Sequence, residues 1–176
     1  MRDAVIVSTA RTPIGKAYRG AFNATTPQAL GAHAVKNAVE RAGIEPGEVQ
    51  DNVFGAALQQ GFQGGNIARQ VAIRAGLPVT VAGMSLDRQC ASGMMAIATA
   101  AKQVITDGMD VVTGGGVDSI STVQTPEMRV NRDPWLLENK PEIYMSMLET
   151  AETVAERYGI GRDVQDEYSL RSQQRT

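Results

Sequence analysis

The stretch VTVAGMSLDRQCASGMMAIATAAKQVITDGMDVVTGGGVD, residues 79–118, decides the fold. It opens on a β-rich run, VTVAGMSLD (79–87), continues into an apolar segment that stops near Gly108, and closes on a second β-rich run, DVVTGGGVD (110–118). From Ala91 to Ile105 only Ser92, Thr99, Lys102 and Gln103 are polar. A helix that is apolar on nearly every side is expected to be buried on more than one of them. Strand, helix and strand in this order call for a largely parallel sheet covered by helices.

The same alternation runs upstream. AVIVSTA (4–10) predicts a first strand, followed by a Gly- and Pro-bearing loop, ARTPIGKAYRGAFNATTP. PQALGAHAVKNAVERAG predicts a helix with Thr26 as its cap, Pro27 in the first turn and Gly43 as its stop. Leu30, Ala34, Val35, Ala38, Val39 and Ala42 fall on one face of it. DNVFGAAL (51–58) reads as a strand and GNIARQVAIRAG (65–76) as a helix ended by Gly76 and Pro78. The expected architecture is an α/β protein, βαβαβαβ, with a mostly parallel sheet and covering helices.

From Ser119 the texture changes. STVQTPEMRVNRDPWLLENKPE carries scattered charge and the only tryptophan, and residues 119–176 read as an excursion from a sheet domain that spans 1–118. PEIYMSMLETAETVAERYGI is helical, and DVQDEYSLRSQQRT begins another helix with no stop signal before Thr176, as expected of a piece of a longer polypeptide.

Cys90 is the only cysteine, and in a chain that is 43% hydrophobic a free cysteine is by default a small buried apolar group. Its position at a strand-to-helix junction favours a different role, because open α/β sheets bind ligands beyond the carboxyl ends of their strands. Unpaired amides at a helix start carry partial positive charge and favour the thiolate. The small residues Ala91, Ser92 and Gly93 would let a substrate carbonyl approach the backbone, where an N–H could form one arm of an oxyanion hole. Asp87 opposes this, since a nearby carboxylate disfavours a second negative charge unless a cation such as Arg88 compensates.

Composition excludes several classes. Seventeen Lys and Arg against nineteen Asp and Glu, in mixed sign, form no basic stripe for nucleic acid. The start, MRDAVIVSTARTP, lacks the continuous apolar core of a secretory signal, and no run approaches a membrane span. A lone cysteine forms no internal disulfide, and no Cys–His spacing suits zinc, so a reducing, cytoplasmic setting without a metal is expected.

The chain resembles the thiolases, acyl-CoA acyltransferases that include acetyl-CoA acetyltransferase and 3-ketoacyl-CoA thiolase. The resemblance spans essentially all 176 residues, as the N-terminal part of a chain about twice as long. It is carried by ARTPIGK, GNIARQVAIRAGLP, QCASGM, DVVTGGGVDSIS, TAETVAERYGI and QDEYSLRSQQR, in that order. It implies that Cys90 is the acyl-accepting nucleophile, that coenzyme A is a substrate with no resident cofactor, and that residues 119–176 begin a substrate-covering loop domain. It also implies a homodimer or dimer of dimers, through the QVAIRAG helix and the AGMSLD strand. The family's activating histidine and its second, acid–base cysteine belong to the C-terminal part and have no counterpart here. The 176-residue chain alone is therefore expected to lack turnover.

Met147 matches a methionine that lines the family's acyl pocket, although a methionine at helical spacing is by default core. Asp87 replaces a common Asn, Leu148 a Gly and Thr153 an Asn, changes that bear on acyl length rather than on the nucleophile. His33 lies roughly opposite the apolar face of its helix and reads as a solvated residue. GFQGGN (61–66) lacks the Gly-Lys-Ser/Thr of a phosphate loop and reads as a tight turn. Gly114 to Gly116 suit either backbone contact with substrate or a bend beside the Cys90 helix. Two other readings stand beside the thiolase one: a ketoacyl synthase-type condensing enzyme, and a non-catalytic acyl-CoA-binding module of the same fold.

Overall fold

The computed structural model describes residues 2–128 and 131–176. The chain divides into two compact units, Met1–Arg129 and Val130–Thr176.

The first unit is built on three parallel strands, β1 (Asp51–Gly55), β2 (Ala82–Leu86) and β3 (Val112–Gly116), in the spatial order β2-β1-β3. All five residues of β1 are buried, as a central strand covered on both faces must be. Phe54 points to one face, where it packs with α1 (Pro27–Ala42) and α2 (Ile67–Arg74); Val53 points to the other, under α3 (Ser92–Lys102). Register aligns Gly55 with Leu86 on one side and Gly116 on the other, so all three strands end at the same edge of the sheet.

Local chemistry sets the helix ends. Thr26 accepts from the Ala29 N–H, Pro27 opens α1, and Gly43 closes it at φ 68°, a left-handed value that glycine adopts freely. The buried stripe of α1 is Pro27, Gly31, Ala32, Val35 and Val39, so of the expected apolar face only the two valines reach the core. Gly31 explains the rotation. A Cβ there would stand 2.7 Å from Val71 Cγ2, and its absence lets α1 lie directly against α2. His33 is exposed on the far side.

One expected strand is not formed. Residues 4–10 make no ladder hydrogen bonds, and Val5, Ile6 and Val7 are 77%, 75% and 74% exposed. A strand exists only through its neighbour's N–H and C=O groups, and no described segment supplies them. Side chains hold the segment instead: Arg41 Nη1 donates to Thr9 O at 2.9 Å, and Arg2 pairs with Asp110 at 2.5 Å.

The described residues cover α3 on one side only. Only Ser92, Ala96 and Ala100 are buried, while Met94 is 78% exposed and Ile97 and Ala98 are also exposed. The helix is covered on the single face that meets β1 and β3. It runs on as a short π-helix, Gln103–Asp107, to Gly108 at φ 77°. Beyond β3, α4 (Ile120–Val123) is tied back to the sheet domain: Gln60 Nε2 donates to Val123 O at 2.7 Å and Gln63 Oε1 accepts from Ser119 N at 2.5 Å.

The second unit holds α5 (Pro134–Asn139), α6 (Met147–Tyr158) and α7 (Arg162–Gln174). Asp133 caps α5, a helix the scattered charge of that stretch concealed. Ser146 and Glu149 form a reciprocal capping box at the start of α6, and Gly159 ends it at φ 63°. The Ser146 N–H, which donates to the Glu149 carboxylate, and after it the Ser146 side chain hold that carboxyl below its ordinary value, with Arg132 adding in the same direction.

Candidate active site

Beyond Leu86 the chain leaves the sheet edge and turns into α3 within five residues. Gln89 takes φ 49°, one of three non-glycine residues with positive φ among those described, and Ala91 stands at the helix cap with φ −92° and ψ 5°. Between them lies Cys90, which is free and exposed. The burial that a packing role would need is absent. Ala91 offers no side-chain acceptor to the first-turn amides, so that end of the helix keeps its partial positive charge open.

Two side chains close the turn. The Ser92 hydroxyl, in a residue only 3% exposed, accepts from Arg88 N–H at 2.9 Å and donates to Gln89 O at 2.6 Å. Asp87 Oδ1 accepts from Gln89 N–H at 2.6 Å, and Gln89 Nε2 reaches Asp87 Oδ2 at 3.2 Å. Neither interaction is apparent from composition. The Ser92 latch has a sequence signal, a small hydroxyl residue at the first position of an otherwise apolar helix; the Gln89 conformation has none.

The glycines beneath α3 decide how close it sits. A Cβ on Gly114 would stand 2.9 Å from Ile97 Cα, one on Gly116 2.9 Å from Gly93 Cα, and one on Gly55 2.7 Å from Gly93 N. A Cβ on Gly115 would meet the Phe54 ring at 2.7 Å on the opposite face. Gly114 and Gly116 thus let α3 lie close on the sheet, a role that neither expected reading, substrate contact or bend, had named.

The GFQGGN loop is filled by its own chain. Gln63, 1% exposed, donates to Leu58 O and Asp118 Oδ1, both at 2.9 Å, while Asp118 also accepts from Ala57 and Leu58 N–H. Asn66, at φ 63°, then caps α2 through Arg69 N–H at 3.1 Å. These bonds stitch together the segments that follow β1 and β3, beside the edge from which the Cys90 turn departs.

Cys90 belongs to the first unit and Met147 to the second. Met147 is the first residue of α6, is 79% exposed, and lines a cleft with Ala151, Val154, Ala155 and Ile160, between α6 and α7. Leu148 beside it is equally open, whereas the Thr153 hydroxyl is occupied by Glu149 O at 2.9 Å. Among the described residues no group of three or more His, Cys, Asp or Glu could hold a metal, and no helix is long and apolar enough to cross a membrane.

Fold and site together define a layered α/β protein that presents a thiol where a parallel strand gives way to a helix. Residues 4–176 match the family model for the thiolase N-terminal domain, and the chain belongs to the thiolase family. A 3-ketoacyl-CoA thiolase of Bacillus subtilis is 42% identical over 174 residues, which cover 99% of this chain and 44% of that protein. An acetyl-CoA acetyltransferase of Cupriavidus necator is 37% identical, covering 98% and 47%. The crystal structure of the Bacillus anthracis acetyl-CoA acetyltransferase superposes with a TM-score of 0.79 at 37% identity, over 98% of this chain and 46% of that one. The chain thus spans about half the length of the relatives it matches.

Proposed function

We propose that this chain supplies the nucleophile of an acyl-CoA acyltransferase, with Cys90 as the residue that carries the acyl group. The observation that carries this reading is the exposed thiol at the open start of α3, in a chain of the thiolase family. A thiolate suits the task because the acyl-enzyme is itself a thioester and stays activated for transfer. In the cleavage direction Cys90 Sγ adds to the 3-keto carbon of a 3-ketoacyl-CoA. The C2–C3 bond then breaks, its electron pair leaves on C2, and a proton delivered there completes acetyl-CoA. The thiol of free CoA takes the shortened acyl group from Cys90 and restores the thiol. The reverse sequence condenses two acyl-CoA molecules.

Coenzyme A enters as substrate in this scheme, with no resident cofactor. Residues 119–176 begin the domain that covers the substrate, with Met147 on its acyl pocket. The protein acts in the cytoplasm, in fatty acid metabolism, as a homodimer or dimer of dimers. The edge position of β2 and its partly exposed residues support an assembly through that strand, and light scattering at micromolar concentration tests it.

Incubation of the intact protein with radiolabelled acetyl-CoA, followed by peptide mapping, tests the central assignment. Label on the peptide containing Cys90, lost in Cys90→Ser, is the expected result. Full labelling of Cys90→Ser through another residue would overturn it, and binding of acetyl-CoA without any covalent label would favour a non-catalytic module.

A further inference from the structure

We propose that Asp87 is a positioning residue for Cys90, holding Gln89 in the left-handed conformation that aims the thiol. The inference rests on the Cys90 reading above and adds the group that sets the direction of that side chain. A glutamine at φ 49° occupies a region that side chains with a Cβ seldom adopt, so the surroundings must hold it there. Each side of residue 89 has its own restraint. Its carbonyl accepts from Ser92 N–H at 3.0 Å and from the Ser92 hydroxyl at 2.6 Å. Its N–H donates to Asp87 Oδ1 at 2.6 Å, and its side-chain amide reaches the same carboxylate.

The two restraints differ in what supports them. Ser92 is buried and packed over Gly55, so its side of the turn is part of the core. Asp87 and Gln89 are exposed, and the bond between them is local to the loop. Removing the carboxylate therefore releases the backbone immediately before Cys90 while leaving the sheet and α3 in place. An oxygen two residues before the N–H it accepts from is available from Asp or Asn and from no side chain lacking an acceptor at that distance. This separates the role of Asp87 as an acceptor from its role as a charge, because Asn keeps the first and discards the second.

The test compares Asp87→Ala and Asp87→Asn in the intact protein, with Cys90→Ala as control. The measurements are the rate of Cys90 acylation by acetyl-CoA, followed by mass spectrometry, and thermal melting. Displacing a reacting group by about 1 Å costs up to about 100-fold. Asp87→Ala should slow acylation by about 10-fold or more at an essentially unchanged melting temperature, and Asp87→Asn should restore most of the rate. A wild-type rate in Asp87→Ala would overturn the proposal. So would an Asn variant as slow as the Ala one, or a rate loss that follows a lowered melting temperature. Covalent label persisting in Cys90→Ala would instead remove the nucleophile assignment on which the proposal stands.

Discussion

The backbone of Ser92 leaves no room for a side chain on Gly55. A Cβ at Gly55 would overlap the Ser92 carbonyl group and stand 2.7 Å from Gly93 N, so the end of the central strand and the start of the Cys90 helix touch backbone to backbone. The obstructing atoms are main chain and cannot swing aside. Gly55→Ala should therefore destabilise the protein by about 3 kcal/mol, the upper end of ordinary overpacking, as measured by urea denaturation. It should also depress Cys90 acylation, because the helix that carries the thiol has to lift. A stability within about 0.5 kcal/mol of wild type, the range of a neutral surface change, would show that α3 sits further from the sheet.

Gln63 spends every polar atom of its side chain on the loops at the carboxyl edge. Its amide donates to Leu58 O and Asp118, and its oxygen accepts from Ser119 N–H at 2.5 Å, all in a residue 1% exposed. Gln63→Leu keeps the volume approximately but strands buried partners, at about 1–3 kcal/mol for each group left unsatisfied. A loss of about 3 kcal/mol or more in chemical denaturation is expected, whereas a neutral outcome would mean that water replaces the amide.

Asn66 serves α2 twice, as a left-handed residue at φ 63° and as a cap for Arg69 N–H. Asn66→Gly keeps the backbone conformation and loses the cap; Asn66→Ala loses both. The alanine variant should be the less stable by a few tenths to about 1 kcal/mol, which thermal melting of the pair would resolve. Equal melting temperatures would show that the left-handed backbone contributes nothing.

Glu149 gives the second unit a pH dependence of known sign. Hydrogen bonds from the Ser146 N–H and hydroxyl lower its folded-state value below the ordinary 4.5. A depressed carboxyl contributes stability that is present above 4.5 and is lost as pH falls through the folded value. Fraying at the first turn of α6 is therefore expected only on the acid side of 4.5. An NMR titration should place the Glu149 midpoint below 4.5, and Ser146→Ala should move it back toward that value. An unchanged midpoint in the alanine variant would assign the shift to the backbone N–H of residue 146, which that variant keeps.

Much of this architecture was legible in the chain because it is decided over short distances. Thr26 and Pro27 before an apolar period, with Gly43 after it, define a helix wherever that segment lies, since capping bonds and left-handed glycine are local. The strand-to-helix junction at Cys90 and the parallel order of three strands follow from the same short-range alternation. The thiolase motifs named the family for the same reason, as contiguous strings of residues.

Contacts across the fold decided the rest. AVIVSTA has the composition of a strand, yet a strand is a relationship between two backbones, and residues 4–10 have no ladder partner among the described residues. The Cys90 helix reads as apolar all round, yet burial depends on what stands opposite each face, and among the described residues the three-stranded sheet meets one face of it. Gly55, Gly114 and Gly116 are ordinary small residues until the approach of α3 makes a Cβ impossible. The left-handed turn at Gln89 is set by Asp87 and by Ser92, whose own position is fixed by packing against the sheet. A residue's propensity is written in its own side chain, but hydrogen-bond partners and excluded volume come from segments distant in sequence, and only the folded chain brings them together.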